Sequence, residues 1–274
     1  MALTINSRIK LNSSIDIPYI GLGTYELRGK TAHESVNAAL EAGYRLIDTA
    51  ESYYNEKEVG EAIKNSRIPR NEIFVTTKLA NENHGYDKTL KAFEGSLKRL
   101  GLDFVDLYLI HWPSGRLRNE TWQAFESLLH ERACRSIGVS NYTVRHLKEL
   151  LSVSSTVPAV NQVEFNPYIH QKEILELCKE KNIQLEGYTP LARTKKFNES
   201  ILKNISEKYS KSIAQILIRW SLQHNVIAIP KSSDENRIKE NINVFDFEIS
   251  DEDMDRLNSL NENLRFSPDP HNLK

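Results

Sequence analysis

Four side chains in the first half of this sequence are of types suited to placing a proton on an oxygen: Asp48, Tyr53, Lys78 and His111. Asp48 closes the apolar run YRLIDTA, Tyr53 follows in the polar stretch ESYYNE, Lys78 closes IFVTTKL and His111 closes LYLIHWP. A tyrosine hydroxyl ionises near ~10 and is a sluggish acid at neutral pH. An ammonium beside its oxygen favours the phenolate and eases proton donation. In such a scheme Tyr53 is the general acid, Lys78 tunes it, Asp48 keeps the lysine charged and in place, and His111 orients a carbonyl by hydrogen bonding. A carbonyl turning into an alkoxide also needs a hydride, which only a cofactor can supply. Each residue alone has a plainer reading: Asp48 as a loop cap, Lys78 as a solvated lysine, His111 as a core histidine, and Tyr54 as a competitor for Tyr53. The chemical reading rests on all four meeting in one place.

The elements needed to bring them together follow from the pattern. Short apolar runs alternate with amphipathic segments from YIGLG, through YRLIDTA, IFVTTKL, FVDLYLIHW, SIGVS, AVNQVEF and IQLEGYTPL, to VIAIP. They lack polar alternation, as strands buried on both faces do. In YDKTLKAFEGSLKRLG, Leu90, Phe93, Leu97 and Leu100 share one helical face and Gly101 offers a C-cap. A similar stripe runs through SIAQILIRWSLQHN. About eight strand-then-helix units predict an α/β fold, a (β/α)8 TIM barrel, in which residues at the carboxyl ends of the strands converge on one face. A doubly wound sheet is the rival, but no G-x-G-x-x-G follows the first strand. The opening RIKLNSSIDIPYI reads as a hairpin, Arg8 to Leu11 and Ile15 to Ile17 around Asn12-Ser13-Ser14, placed to close the bottom of the barrel. The ending NENLRFSPDPHNLK, with Pro268 and Pro270, reads as a loop. With no linker or low-complexity tract in sight, residues 1–274 are expected to form one domain.

Composition narrows the class. The 274 residues carry a formal net charge of −1 and are 39% hydrophobic, which gives no electrostatic reason to expect nucleic acid or a membrane as partner. No stretch reads as a signal segment or a membrane span. Cys134 and Cys178 lie far apart and read as free thiols of a reducing compartment. A cytoplasmic protein, a monomer without a metal site, is the expectation; His111, His130 and His146 are too far apart for ligand spacing.

With these residues in place, the sequence resembles the aldo-keto reductases over essentially its whole length. EAGYRLIDTAESYYNEKEVG is similar to the segment carrying the family's catalytic Asp and Tyr, and VTTKL and LYLIHWP to those carrying its Lys and His. IGVSN, NQVEFNP, GYTPLA and IPKSSDENRIKEN resemble its cofactor-binding segments. The short proline-containing tail looks like that of prokaryotic members reducing small dicarbonyls and keto sugars. The resemblance implies NADPH lying across the barrel mouth, with NADH left open, and reversible reduction of aldehydes or ketones to alcohols. It implies Ser140, Asn141 and Gln162 at the nicotinamide carboxamide, Tyr188 stacked on the ring, Gly23 and Thr24 close to it, and Leu191 on the cofactor path. Lys231, Ser232 and Arg237 fall at the 2′-phosphate, and Glu240 and Asn241 at the adenine edge. Residue chemistry agrees: an amide offers both donor and acceptor, tyrosine a flat face, and Lys and Arg at a helix start an anion site.

Tyr25 and Trp112 are expected as aromatic walls of a substrate pocket. Ala80 stands where the family usually has Trp, which removes a wall and leaves the small carbonyl substrate open. Leu46 replaces a common His at a position expected just behind the site. Asp234 stands where a neutral or basic residue is usual, either weakening NADPH preference or capping the next helix. Two other classes stand beside the enzyme reading: a nucleotide-sensing module like the potassium-channel β-subunits, with little turnover, and a phosphate-handling isomerase barrel.

Overall fold

The computed structural model describes residues 3–273. A two-stranded antiparallel hairpin, β1 (Arg8–Lys10) and β2 (Asp16–Pro18), precedes the main sheet. Eight parallel strands follow in sequential order: β3 (Leu22–Gly23), β4 (Leu46–Asp48), β5 (Phe74–Leu79), β6 (Leu107–Ile110), β7 (Ile137–Ser140), β8 (Val160–Glu164), β9 (Gln184–Tyr188) and β10 (Ile227–Ala228). A parallel bridge between Ile20 and Ala228 joins the last strand to the first and closes the barrel. The eight predicted strands are thus the eight observed ones.

The helices are α1 (Gly29–Glu41), α2 (Glu56–Asn65), α3 (Tyr86–Leu100), α4 (Arg118–His130) and α5 (Val144–Leu151) in the first half. The second half adds α6 (Lys172–Glu180), α7 (Ser200–Tyr209), α8 (Ile213–Gln223), α9 (Glu235–Ile242) and α10 (Asp251–Asn258). Their ends are written in the sequence. Thr143 with His146 and Ser212 with Gln215 form reciprocal caps at the starts of α5 and α8. Gly101 ends α3 at φ 64°, where a Cβ would be strained. Asp234, one of the two options left open above, accepts the Arg237 N–H and caps α9. None of the described helices is long and apolar enough to cross a membrane.

Strand alternation sorts the core into an outer and an inner part. The outer part packs helices on the sheet, with Val36, Val59, Phe93, Phe125, Leu147 and Trp220 all buried. The inner part is layered. Leu46, Phe74, Leu107 and Val160, near the amino ends of their strands, pack against Leu11 and Ile17 from the hairpin. Ile17 is completely buried, so the hairpin does close the lower end. Leu46 belongs to that apolar layer, one step beneath Asp48 on the same face of β4, rather than beside the polar site. Above this layer the buried polar side chains Asp48, Thr76, Gln162 and Glu186 follow, with Lys78 and Ser140 a step higher.

Candidate active site

Everything polar at the mouth is held by backbone that the strand ends fix. Lys78 is the fifth residue of β5, fully buried, and its ammonium donates to Asp48 Oδ1 at 2.6 Å, to the Thr49 carbonyl at 3.0 Å and to the Tyr53 hydroxyl at 3.3 Å. Asp48 is held on its other side by Gln162 Nε2 at 2.8 Å. A single 3-10 turn, Glu51–Tyr53, follows β4 and swings Tyr53 back over the mouth. Tyr54 then adopts φ 55° and stands 76% exposed, which removes it as a competitor. Asn55 locks the turn, accepting from Thr49 Oγ1 and donating to the Thr24 and Leu27 carbonyls. Thr24 is itself buried, its hydroxyl donating to the Asp48 carbonyl.

His111 reaches the same point from the end of β6. Its ring lies 5.5 Å from that of Tyr53, and Nδ1 is 3.1 Å from Ser52 Oγ. Taking the hydroxyl as donor leaves the ring proton on Nε2. Burial, reinforced by the charge of Lys78, pushes the imidazole down to about 3, so it is neutral at physiological pH. Burial works to discharge Lys78, but Asp48, with Tyr53 and Glu186 adding to it, holds the ammonium above its ordinary range. The phenol of Tyr53 departs from the sequence expectation. Lys78 does pull it down, but burial pushes harder and the net movement is upward.

A cavity of about 750 Å³ opens over these groups. Asp48, Tyr53 and His111 line it, together with Gly23, Ser140, Asn141, Gln162, Tyr188, Leu191 and Lys231 from the expected cofactor set. Asn141 sits at φ 65°; its amide donates to the His111 carbonyl and to Ser140 Oγ, and its oxygen accepts from the Tyr188 hydroxyl at 2.8 Å. That bond pins the Tyr188 ring at the cavity wall. The Gln162 amide nitrogen is taken by Asp48 and, at 3.2 Å, by Glu186; among the described residues its oxygen has no partner. Ser232, Arg237, Glu240 and Asn241 lie outside this cavity, at or just before α9, beyond Lys231.

Tyr25 and Trp112 line the cavity as expected. Ala80 does not. It is 2% exposed, its N–H tied to Glu51 Oε2 at 3.0 Å, and Asn81 provides the wall instead. A methyl group is too short to reach past its own backbone. Three contributors escaped the sequence reading. Ser52 was hidden inside the stretch that supplied Tyr53. The tail is a second: Glu164 accepts the N–H groups of Phe266 and Ser267, which carries Ser267, Pro268 and Asp269 over the mouth. Glu186 is the third, and its signal was legible, because a carboxylate inside a strand buried on both faces needs an explanation.

Comparisons with known proteins bear on the family and the fold. Residues 19–262 match the model of the Aldo/keto reductase family. The chain is 48% identical to the glyoxal reductase of Bacillus subtilis (strain 168), over 100% of this chain and 99% of that protein. It superposes with TM-score 0.95 on an aldo-keto reductase from a Medee basin deep-sea metagenome library, at 46% identity, covering 97% of this chain and 99% of the other. A Bombyx mori aldo-keto reductase solved in complex with NADP superposes with TM-score 0.89 at 36% identity, covering 96% and 95% of the two chains.

Proposed function

Since the chain belongs to the aldo/keto reductase family and is an oxidoreductase acting on carbonyl groups, we propose that it reduces small aldehydes and ketones with NADPH, Tyr53 delivering the proton. The observation that carries this reading is the chain of contacts from Asp48 through Lys78 to the Tyr53 hydroxyl, with Asp48 and Tyr53 on the wall of the mouth cavity. Ser140, Asn141 and Gln162 would hold the nicotinamide carboxamide, with Tyr188 as the flat surface behind the ring. The fit rests on Gln162: with its nitrogen committed to two carboxyls, it offers an acceptor to the carboxamide NH2. Bound there, the reduced nicotinamide supplies the hydride that no side chain can.

His111, neutral and with its proton on Nε2, donates to the substrate carbonyl and draws electron density onto the oxygen. Tyr53 gives its proton to that oxygen as the alkoxide develops, and Lys78 stabilises the phenolate left behind. Asp48 keeps Lys78 charged throughout. Lys231 and Arg237 favour a 2′-phosphate, and so NADPH over NADH. Asp234 opposes this less than its charge suggests, because it is engaged at the α9 cap. The Bacillus relative is a glyoxal reductase, and we extend small dicarbonyls to this chain as the first class to test.

Tyr53→Phe is expected to lower NADPH-dependent turnover of glyoxal by at least about 1,000-fold while leaving NADPH binding, followed by tryptophan fluorescence, close to wild type. Wild-type turnover in that variant would remove the proposed acid. A panel of dicarbonyls, keto sugars and bulkier ketones, run with both cofactors, fixes the substrate class and separates a reductase from a nucleotide-sensing module.

A further inference from the structure

Glu186 is a buried carboxyl that the scheme above leaves unused. It lies in the middle of β9, fully buried, inside the barrel and directly beneath the mouth. Its Oε2 accepts from Gln162 Nε2 at 3.2 Å, and the same nitrogen donates to Asp48 Oδ2 at 2.8 Å. Its Oε1 is buried without a partner among the described residues. Two carboxyls therefore share one amide nitrogen in an enclosed space that holds a single ammonium, that of Lys78. Two like charges so placed cannot both persist cheaply.

We propose that Glu186 is a positioning residue: as a neutral acid it completes the pair of acceptors that turns the Gln162 oxygen toward the cavity, and on losing its proton it weakens proton delivery by Tyr53. The assignment of the proton follows from geometry. Asp48 has Lys78 at 2.6 Å and keeps its charge, whereas Glu186 makes no contact with a cation and takes the proton. The ionisable groups facing it are Asp48 from β4 and Lys78 from β5, with Tyr53 above Lys78 and Tyr188 two residues on. The neighbouring strands β8 and β10 contribute Gln162 and Ile227, which do not titrate. Burial and the charge of Asp48 push the Glu186 carboxyl up to about 8. Below that pH the site carries one negative charge against one positive. Above it a second negative charge offsets Lys78, and the phenol of Tyr53 becomes a poorer donor.

This inference rests on Tyr53 being the proton donor, and its test reads both the amide and the proton. NADPH dissociation constants by tryptophan fluorescence, and kcat/KM for glyoxal from about pH 6 to about pH 10, are compared in wild type, Glu186→Leu and Glu186→Gln. Leucine leaves one Gln162 N–H unpaired and is expected to raise the NADPH Kd about tenfold, and glutamine to recover it to within about threefold. Because glutamine has no proton to lose, the ratio of its kcat/KM at about pH 9 to that at about pH 7 is expected to exceed the wild-type ratio by about tenfold. A merely structural role would lower the melting temperature of the leucine variant yet leave the glutamine profile on the wild-type one. Coinciding alkaline limbs in wild type and Glu186→Gln overturn the inference. Turnover surviving in Tyr53→Phe would instead remove the proton donor, and the Kd series still decides whether Glu186 sets Gln162.

Discussion

At the scale of single residues, Lys78 concentrates the risk. Its ammonium is the partner that makes the buried charge of Asp48 tolerable, and the contact that reaches Tyr53. Lys78→Met removes both at once. It is expected to cost roughly 3 to 5 kcal/mol of stability, because an uncompensated carboxylate stays buried, and to cut turnover by about 100-fold or more. Chemical denaturation and steady-state kinetics read the two effects separately, and a variant as stable as wild type would mean that Asp48 is not held by this pair. Residues of this kind were legible beforehand because charged types at the ends of apolar runs are anomalous. Ser52 and Glu186 were passed over for opposite reasons: a serine in a polar stretch carries no signal, whereas a glutamate in a strand expected to be covered on both faces carried one that the four-residue scheme had no place for. The direction of the Tyr53 shift was also out of reach, since it depends on how much desolvation the finished cavity imposes.

At the scale of elements, the alternating pattern read well because parallel strands inside a ring of helices have no polar face to confuse it. Ala80 shows the limit of such reading: one residue past a strand, whether a side chain enters a cavity depends on the turn that follows, here a 3-10 turn from Asn81 to Asn83. Close helix contacts are equally hidden. Gly60 on α2 approaches the end of α3 so tightly that an added Cβ would lie 1.8 Å from the Leu100 carbonyl oxygen. Gly60→Ala must therefore push α2 and α3 apart, although alanine is the better helix former. The expected loss is about 2 to 4 kcal/mol, read as a lower melting temperature, with NADPH affinity in the folded fraction unchanged. An unchanged melting temperature would show that the two helices separate freely.

At the scale of the molecule, burial keeps several imidazoles neutral: His111 is pushed down to about 3 and His170 to about 4, and His84, His146 and His224 are also lowered. Unfolded histidines take up protons below about 6.5, whereas folded His111 and His170 resist until well below that and the other three are shifted in the same direction. Their stabilisation is therefore complete above about pH 6.5 and declines as the pH falls from there toward about 4. Glu164 and Glu186, both raised by burial, act in the opposite sense as pH rises above the ordinary carboxylate range, Glu186 up to about 8. Melting temperature is expected to fall by several degrees between about pH 6.5 and about pH 4.5; a flat profile would mean that these rings are already protonated in the fold. The hairpin of Leu11 and Ile17 has a last consequence. It closes the lower end of the barrel, so on the proposed function dinucleotide, carbonyl and alcohol would all pass through the mouth. On that reading, whatever sits deepest would enter first and leave last.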